Sequence, residues 1–336
     1  MKAIVYHNYG PPDVLKYEEI EKPTPGDNQV LIKVRAASVN PLDWHLMRGT
    51  PYVGRIMMGL RKPKIGRLGV DVAGEVEAVG RNVTQFKMGD NVFGSARGAC
   101  AEYVCTSQSA LVTKPDNVTF EQAASVPVAA LSALQGLRDK GKIKSAQKVL
   151  INGAAGGVGT FAVQIAKWFG AEVTGVCSTT NVDMVRSLGA DHIIDYIHED
   201  FTKGAQRYDV ILDNVGNHSL LECRRVLNSK GRYVLVGGGG PNDQGWIGPG
   251  LTRAITAPVL SWFVSQCMSF FLAKMNKNDL TILRDLIQEG KVKPVIDKRY
   301  GLSEVPEAIR YLEEGHARGK LVITLEDNNE PGRPIR

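Results

Sequence analysis

The chain has 336 residues, 43% of them hydrophobic and 23% charged, with a formal charge of +6, which is enough material for two domains with separate cores. The mild basic balance suits an anionic cofactor or substrate, but the charges are dispersed and give no nucleic-acid footprint, so no nucleic-acid partner is expected. Five cysteines (Cys100, Cys105, Cys177, Cys223, Cys267) are scattered, odd in number and without a C-x-x-C pair, which argues against a disulfide framework and for a reducing compartment, the cytoplasm.

Residues 1–124 read as β-rich. The runs MKAIVYH, QVLIKVRAASV, VAGEVEAVG, NVFGSA and CAEYVCT are separated by Pro-Gly, Gly-Asp and Arg-Asn turn signals, as in a small barrel-like domain. The opening residues alternate like a strand, and no basic-then-apolar leader is visible. From Glu121 a helix-forming stretch, FEQAASVPVAALSALQGLRDKGKI, leads to a glycine-rich turn. Strand and helix candidates then alternate: EVTGVC, VDMVRSLG, HIIDY, DVILDNV, SLLECRRVL and RYVLVGGG. That alternation is the pattern of a doubly wound parallel sheet. Residues 254–273 are uncharged and long enough to span a bilayer. Pro258, Gln266 and the serines favour a helix followed by a sheet strand at about Cys267 to Ala273, with Trp262, Phe263, Phe270 and Phe271 as an alternative pocket wall or partner surface. LTILRDLIQEG, VKPVIDKRY, EVPEAIRYLEEG and KLVITLE predict helix, strand, helix and strand.

The stretch the rest is organised around is residues 148–168. Val149, Leu150 and Ile151 predict a buried strand, the glycines of NGAAGGVG a tight turn, and Val158, Ala162, Ile165 and Ala166 an amphipathic helix. In the register Ala154, Gly156, Gly159 this is a dinucleotide fingerprint with its first glycine replaced. Gly156, Gly157 and Val158 then lie where backbone amides approach a pyrophosphate, and Gly159 where helix and strand pack closely.

Several motifs together resemble the medium-chain dehydrogenase/reductase superfamily, within it the zinc-independent quinone oxidoreductase and alkenal-reductase branch. They are Ser38-Val39-Asn40-Pro41-Leu42-Asp43, Asp71-Val72-Ala73-Gly74-Glu75-Val76, Gly89-Asp90-Asn91-Val92-Phe93-Gly94, residues 126–133 and Gly290-Lys291-Val292-Lys293-Pro294. The resemblance covers Met1 to about Glu326. It implies an α/β fold: a GroES-like β domain over 1–124, completed by 291–336, plus a Rossmann doubly wound parallel sheet over 125–290. Zinc-dependent members carry a cysteine where this chain has Asn40, and Gly-His-Glu where it has Gly69-Val70-Asp71. Valine cannot ligate zinc, and no four-cysteine lobe is present, so no metal is expected. Chemistry that needs only hydride placement is then favoured, namely reduction of a quinone or of a C=C bond conjugated to a carbonyl.

The run Cys177-Ser178-Thr179-Thr180-Asn181 has no carboxylate to hold ribose hydroxyls, which favours NADPH, with NADH also accommodated. Ser178 and Thr179 offer hydroxyls to a 2′-phosphate, and the resemblance adds Asn181, where the family often has a base, and Tyr196, which matches a tyrosine that lines that phosphate. By resemblance Asn214, Val215, Gly237 and Gly238 contact the nicotinamide half, and Ser132 and Asn40 flank it. The loop Gly315 to Lys320 matches the family only at Gly319-Lys320 and stands outside the expected site. By resemblance to related reductases, which often use a tyrosine from this loop, Tyr52 is the first choice as proton donor, with His45 and Asn40 as further donors, while Asp43 is expected to be structural, paired with a nearby base. The basic run Arg55, Arg61, Lys62, Lys64, Arg67 reads first as a solvated loop, and its functional reading is attraction of anionic head groups or a membrane surface. A sheet edge near Cys267 is expected to close a homodimer. The rival class is a non-catalytic NADPH-binding protein associated with RNA or a membrane surface.

Overall fold

From Gln29 to Val39 only the first residue is exposed and the last four are wholly buried, because the strand begins on the surface and ends under a covering layer. This strand, β3, is the axis of the N-terminal sheet. A computed structural model describes residues 1–237, 249–261 and 264–325. Its strands are β1 (Lys2–Val5), β2 (Lys16–Glu19), β3 (Gln29–Val39), β4 (Asp71–Val79), β5 (Asn91–Ser95), β6 (Tyr103–Ser107), β7 (Leu111–Thr113), β8 (Lys148–Asn152), β9 (Glu172–Cys177), β10 (His192–Asp195), β11 (Tyr208–Asp213), β12 (Leu227–Val236), β13 (Cys267–Phe271), β14 (Ile296–Gly301) and β15 (Lys320–Thr324). The helices are α1 (Pro41–Arg48), α2 (Arg55–Met58), α3 (Phe120–Ala124), α4 (Pro127–Gln135), α5 (Gly157–Trp168), α6 (Val182–Ser187), α7 (Leu220–Arg225), α8 (Pro249–Ser261), α9 (Lys277–Gln288) and α10 (Val305–Glu313).

One sheet runs β14-β15-β3-β4-β5-β7, with β6 also on β3. Its core holds Ile32, Val34, Trp44, Ile309 and Leu321. The other sheet, β10-β9-β8-β11-β12-β13, is parallel throughout. Helices cover both its faces, with Leu131, Phe161, Ile165 and Leu283 packed on one side and Ile211, Tyr233 and Met268 on the other. Burying each such side chain contributes roughly 1.5–3 kcal/mol. The antiparallel pairing of β15 with β3 sets Val322 opposite Ser38 and Leu321 opposite Val39, so β15 closes onto the residues just before Asn40.

The predicted helix from Glu121 is broken in two. Pro127 has no N–H to donate and starts α4 afresh, while Thr119 and Gln122 form a capping box for α3. Residues 254–273 resolve into the end of α8 and β13, tied together by the Met268 amide donating to Ser261 Oγ at 2.7 Å. No helix among the described residues is long and apolar enough to cross a membrane. Phe271 packs into the core on one face of the parallel sheet, and Phe270, half-buried, packs against that on the other. Trp262 and Phe263 lie outside the described residues. Strands β2 and β7 and helix α1 were not expected from the sequence.

Gly159 explains its own identity. A Cβ there would stand 2.0 Å from the Gly153 carbonyl oxygen and 2.7 Å from Ala154 Cα, so only glycine lets α5 pack this close to the turn. Gly159→Ala is therefore expected to lower unfolding stability by about 3 kcal/mol in urea titration; a midpoint unchanged from the parent would show that the turn has room to give.

Candidate active site

The glycine turn is built by the end of β8. Gly153 adopts a left-handed backbone, φ +76°, and Ala154, fully buried, donates its amide to the Val176 carbonyl at 2.9 Å. The ideal Cβ of Gly175 would be 3.1 Å from Ala154 Cβ, so the alanine at the first motif position packs on the glycine of the neighbouring strand. Gly156 is the N-cap of α5 and offers no side chain to its first amides. Those orphan donors and the helix dipole make an anion site. Val158 packs inward against the core, while Gly157 has Lys320 Cδ 3.0 Å from where its Cβ would stand. Gly156 also bridges Gly319, so the loop left outside the expected site lies on the turn itself.

Around this turn the parallel strands end. At β9, Asn181 donates to Ser178 Oγ at 3.0 Å, and Thr179 Oγ1 donates to Asp195 Oδ2 at 2.5 Å. The carboxylate absent from the run is thus supplied by the neighbouring strand, held below its usual range by the Thr179 hydroxyl. A base arrives too: Arg318 Nη2 donates to Thr180 Oγ1 at 3.4 Å. Tyr196 is half exposed beside them, its amide bonded to the Cys177 carbonyl. At β11, Asp213 accepts from Asn152, Val215, Gly216 and the Tyr233 hydroxyl, fixing the strand end. Asn214 donates its side-chain amide to the Asn152 carbonyl, and its Oδ1 is buried without a partner. Val215 is exposed and Gly237 takes φ +69°; Gly238 lies outside the described residues. Ser132 is buried on α4 with its hydroxyl turned back to the Val128 carbonyl. The uncapped helix, the unfilled glycine cradle and the orphan Asn214 oxygen fit a dinucleotide.

Next to the turn sits a cluster of buried polar groups. Lys320 Nζ donates to Asn40 Oδ1 at 2.5 Å and to the Val39 carbonyl at 3.1 Å, and lies 3.7 Å from Asp71 Oδ2. Asn40 Nδ2 and Ser38 Oγ both donate to that same Asp71 oxygen at 2.9 Å, and the Val128 amide at the start of α4 donates to the other. Both ends of the Asn40 amide are therefore oriented, its oxygen by the ammonium and its nitrogen by the carboxylate. Burial pushes the Asp71 carboxyl up and the Lys320 ammonium down, and each opposes the other's shift. Asp43 completes the group. It accepts from the Asn40 amide at 2.8 Å in the capping box of α1, while its Oδ1 has no partner. Burial, reinforced by the like charge of Asp71, pushes its carboxyl up to about 7. The expected partner of Asp43 is a nearby base; its direct partner is instead the backbone N–H of Asn40.

The loop after α1 carries the other donors. His45 stacks on Trp44 with ring centroids 3.7 Å apart, and its Nδ1 is 3.1 Å from the Thr50 carbonyl, which makes that nitrogen the donor. Tyr52 is partly exposed, with the Arg55 guanidinium 4.5 Å over its ring and equally over that of Tyr9. Arg55 also donates to the Gly49 and Arg48 carbonyls, fastening the loop to the end of α1.

The cluster does not fit zinc. Of Asn40, Val70 and Asp71, the valine offers no ligand, and the carboxylate is engaged by three donors. The Lys320 ammonium already supplies a positive charge between the other two, which repels a dication. No group of three or more His, Cys, Asp or Glu among the described residues converges to hold a metal.

Comparison with known proteins gives two family models: an alcohol dehydrogenase GroES-like domain over residues 26–116 and a zinc-binding dehydrogenase over 188–323. The mouse protein named NAD(P)H oxidoreductase RTN4IP1, mitochondrial, is 34% identical over 97% of this chain and 89% of its own length. An Arabidopsis thaliana protein named NADPH-dependent alkenal/one oxidoreductase, chloroplastic, is 35% identical over 96% of this chain and 79% of its own. Among solved structures, the quinone oxidoreductase from Coxiella burnetii superposes with a TM-score of 0.85 at 34% identity, covering 97% of this chain and 99% of that one.

The buried Asp43 has a pH consequence. With its folded pKa raised from near 4 to about 7, the native state binds the proton more tightly than the unfolded chain. Its contribution is therefore whole below pH 4 and is lost as pH rises to about 7, a change of up to about 4 kcal/mol. Melting temperatures of the parent should fall relative to Asp43→Asn between pH 5 and 8; parallel curves for the two proteins would contradict the assignment.

Proposed function

Because the chain belongs to the medium-chain dehydrogenase/reductase family, on the branch of quinone oxidoreductases and alkenal reductases, we propose that it uses NADPH to reduce quinones or the C=C bond of α,β-unsaturated carbonyls without a zinc ion. The observation that carries this reading is the juxtaposition of an uncapped glycine turn with a buried ammonium that orients Asn40. One suits an anionic dinucleotide, and the other opposes a dication at the same place.

Bound NADPH supplies the hydride. The first amides of α5, at Gly157, Val158 and Gly159, hold the pyrophosphate, with Ala154 and Gly156 shaping the turn. Ser178, Thr179, Asn181 and Tyr196 surround the adenosine ribose. Asp195 opposes a 2′-phosphate there, so NADPH preference rests on Arg318, whose guanidinium reaches Thr180. Asn214, Val215, Gly237 and Gly238 line the nicotinamide side, with Ser132 and Asn40 opposite. As the carbonyl oxygen of the substrate gains negative charge, it needs a donor. Tyr52 gives that proton from its hydroxyl, and the fixed amide of Asn40 and the His45 ring keep the pocket polar on one side. All five cysteines are free thiols, in keeping with a reducing compartment, the cytoplasm. β13 closes one end of the parallel sheet, and its outer edge pairs with a second copy to form a homodimer.

Turnover with NADPH against a panel of quinones, enals and enones tests the reading; loss of absorbance is expected for at least one class, and binding without turnover would favour the non-catalytic alternative. Tyr52→Phe should lower kcat about 100-fold with KM little changed, and an unaltered kcat would remove Tyr52 from the chemistry. Arg318→Ala should raise KM for NADPH about tenfold and leave KM for NADH unchanged; an equal effect on both would place Arg318 away from the 2′-phosphate.

A further inference from the structure

Residues 44–70 contain no Asp or Glu but carry Arg48, Arg55, Arg61, Lys62, Lys64 and Arg67. Two of these are committed inside the fold: Arg48 to Glu313 at 2.6 Å, and Arg55 to the Tyr9 and Tyr52 rings. The other four are exposed, and none forms a salt bridge among the described residues. Between the two sets the chain puts apolar side chains into water. Ile56 is 62% exposed, Met57 82% and Leu60 67%, with Val53 and Ile65 exposed on either side. Single exposed apolar residues are ordinary, but five within thirteen positions, joined by four exposed bases without a salt bridge, are the kind of surface that marks an interaction site.

We propose that this tip, residues 53–67, docks the protein peripherally on an anionic lipid bilayer. Ile56, Met57 and Leu60 enter the boundary between head groups and acyl chains, while Arg61, Lys62, Lys64 and Arg67 meet the negative head groups. Charge selects this occupant over a second copy of the chain, since pairing two tips would bring two sets of unpaired bases together. It also selects a bilayer over a small anion: free phosphate engages bases and gains nothing from exposed methionine and leucine. The tip follows directly from Tyr52, so docking turns the proposed substrate loop toward a phase that dissolves apolar quinones. The docking itself does not rest on the reductase reading, and its readout is independent of turnover.

The full chain is to be sedimented with phosphatidylcholine vesicles made with and without phosphatidylserine, at low and high salt. Binding is expected only with phosphatidylserine and should weaken with salt. Met57→Asp/Leu60→Asp and Arg61→Glu/Lys62→Glu should each weaken it about tenfold or more, while NADPH oxidation with a small water-soluble quinone and the melting temperature stay at parent values. Failure to bind phosphatidylserine vesicles overturns the proposal, as does undiminished binding by Met57→Asp/Leu60→Asp. If that variant instead changes the mass seen by light scattering, the tip belongs to an interface between copies and the membrane assignment falls.

Discussion

One ammonium group ties the molecule together. Lys320 belongs to β15, yet its nitrogen ends among Val39, Asn40 and Asp71, and its stem lies against Gly157 at the start of α5. A buried charge of this kind is tolerated only with compensating partners. Here they come from the end of β3, the start of β4 and, through the Val128 amide on Asp71, the start of α4. The same atoms that neutralise the lysine therefore hold the β-rich sheet, the connecting helix and the glycine turn in one arrangement.

That arrangement bears on the zinc-free reading proposed for this member of a fold shared with zinc-binding dehydrogenases. A dication needs a set of anionic or imidazole ligands, whereas this site offers an amide, a valine and a carboxylate already saturated with donors. What remains is a rigid polar wall. Asn40 has no freedom to turn, because exchanging its oxygen and nitrogen would face the amide N–H groups toward the ammonium. The second carboxylate, Asp43, caps the start of α1, and burial pushes its carboxyl up to about 7, within the physiological range.

The parts of this picture that are local in sequence were legible in sequence. The glycine turn, the parallel strands and the residues at their ends follow from periodicity and from glycine placement, and β3 and β9 fall on the expected runs. What escaped is what the fold brings from afar. Lys320 and Asn40 are 280 positions apart, and only the antiparallel pairing of β15 with β3 makes them neighbours. Asp195 comes beside Thr179 through the parallel pairing of β10 with β9, and Arg318 comes beside Thr180 from the loop before β15, so the charges around the Ser178 to Asn181 run are not contained in that run. Helix α1 did leave a signal, the Asn40 and Asp43 capping box ahead of Trp44, but eight residues carry too little periodicity to stand out. The exposure of Met57 and Leu60 could not be read from the chain, since an apolar residue between bases is as well explained by a packed loop.

The central claim is that a fixed ammonium, and no metal, organises the reducing site. Its most direct measurement is the rate of NADPH oxidation by the parent protein, with a quinone or enone it reduces, before and after exhaustive chelation. The account predicts the same rate in both; a rate abolished by the chelator and restored by stoichiometric zinc would contradict it.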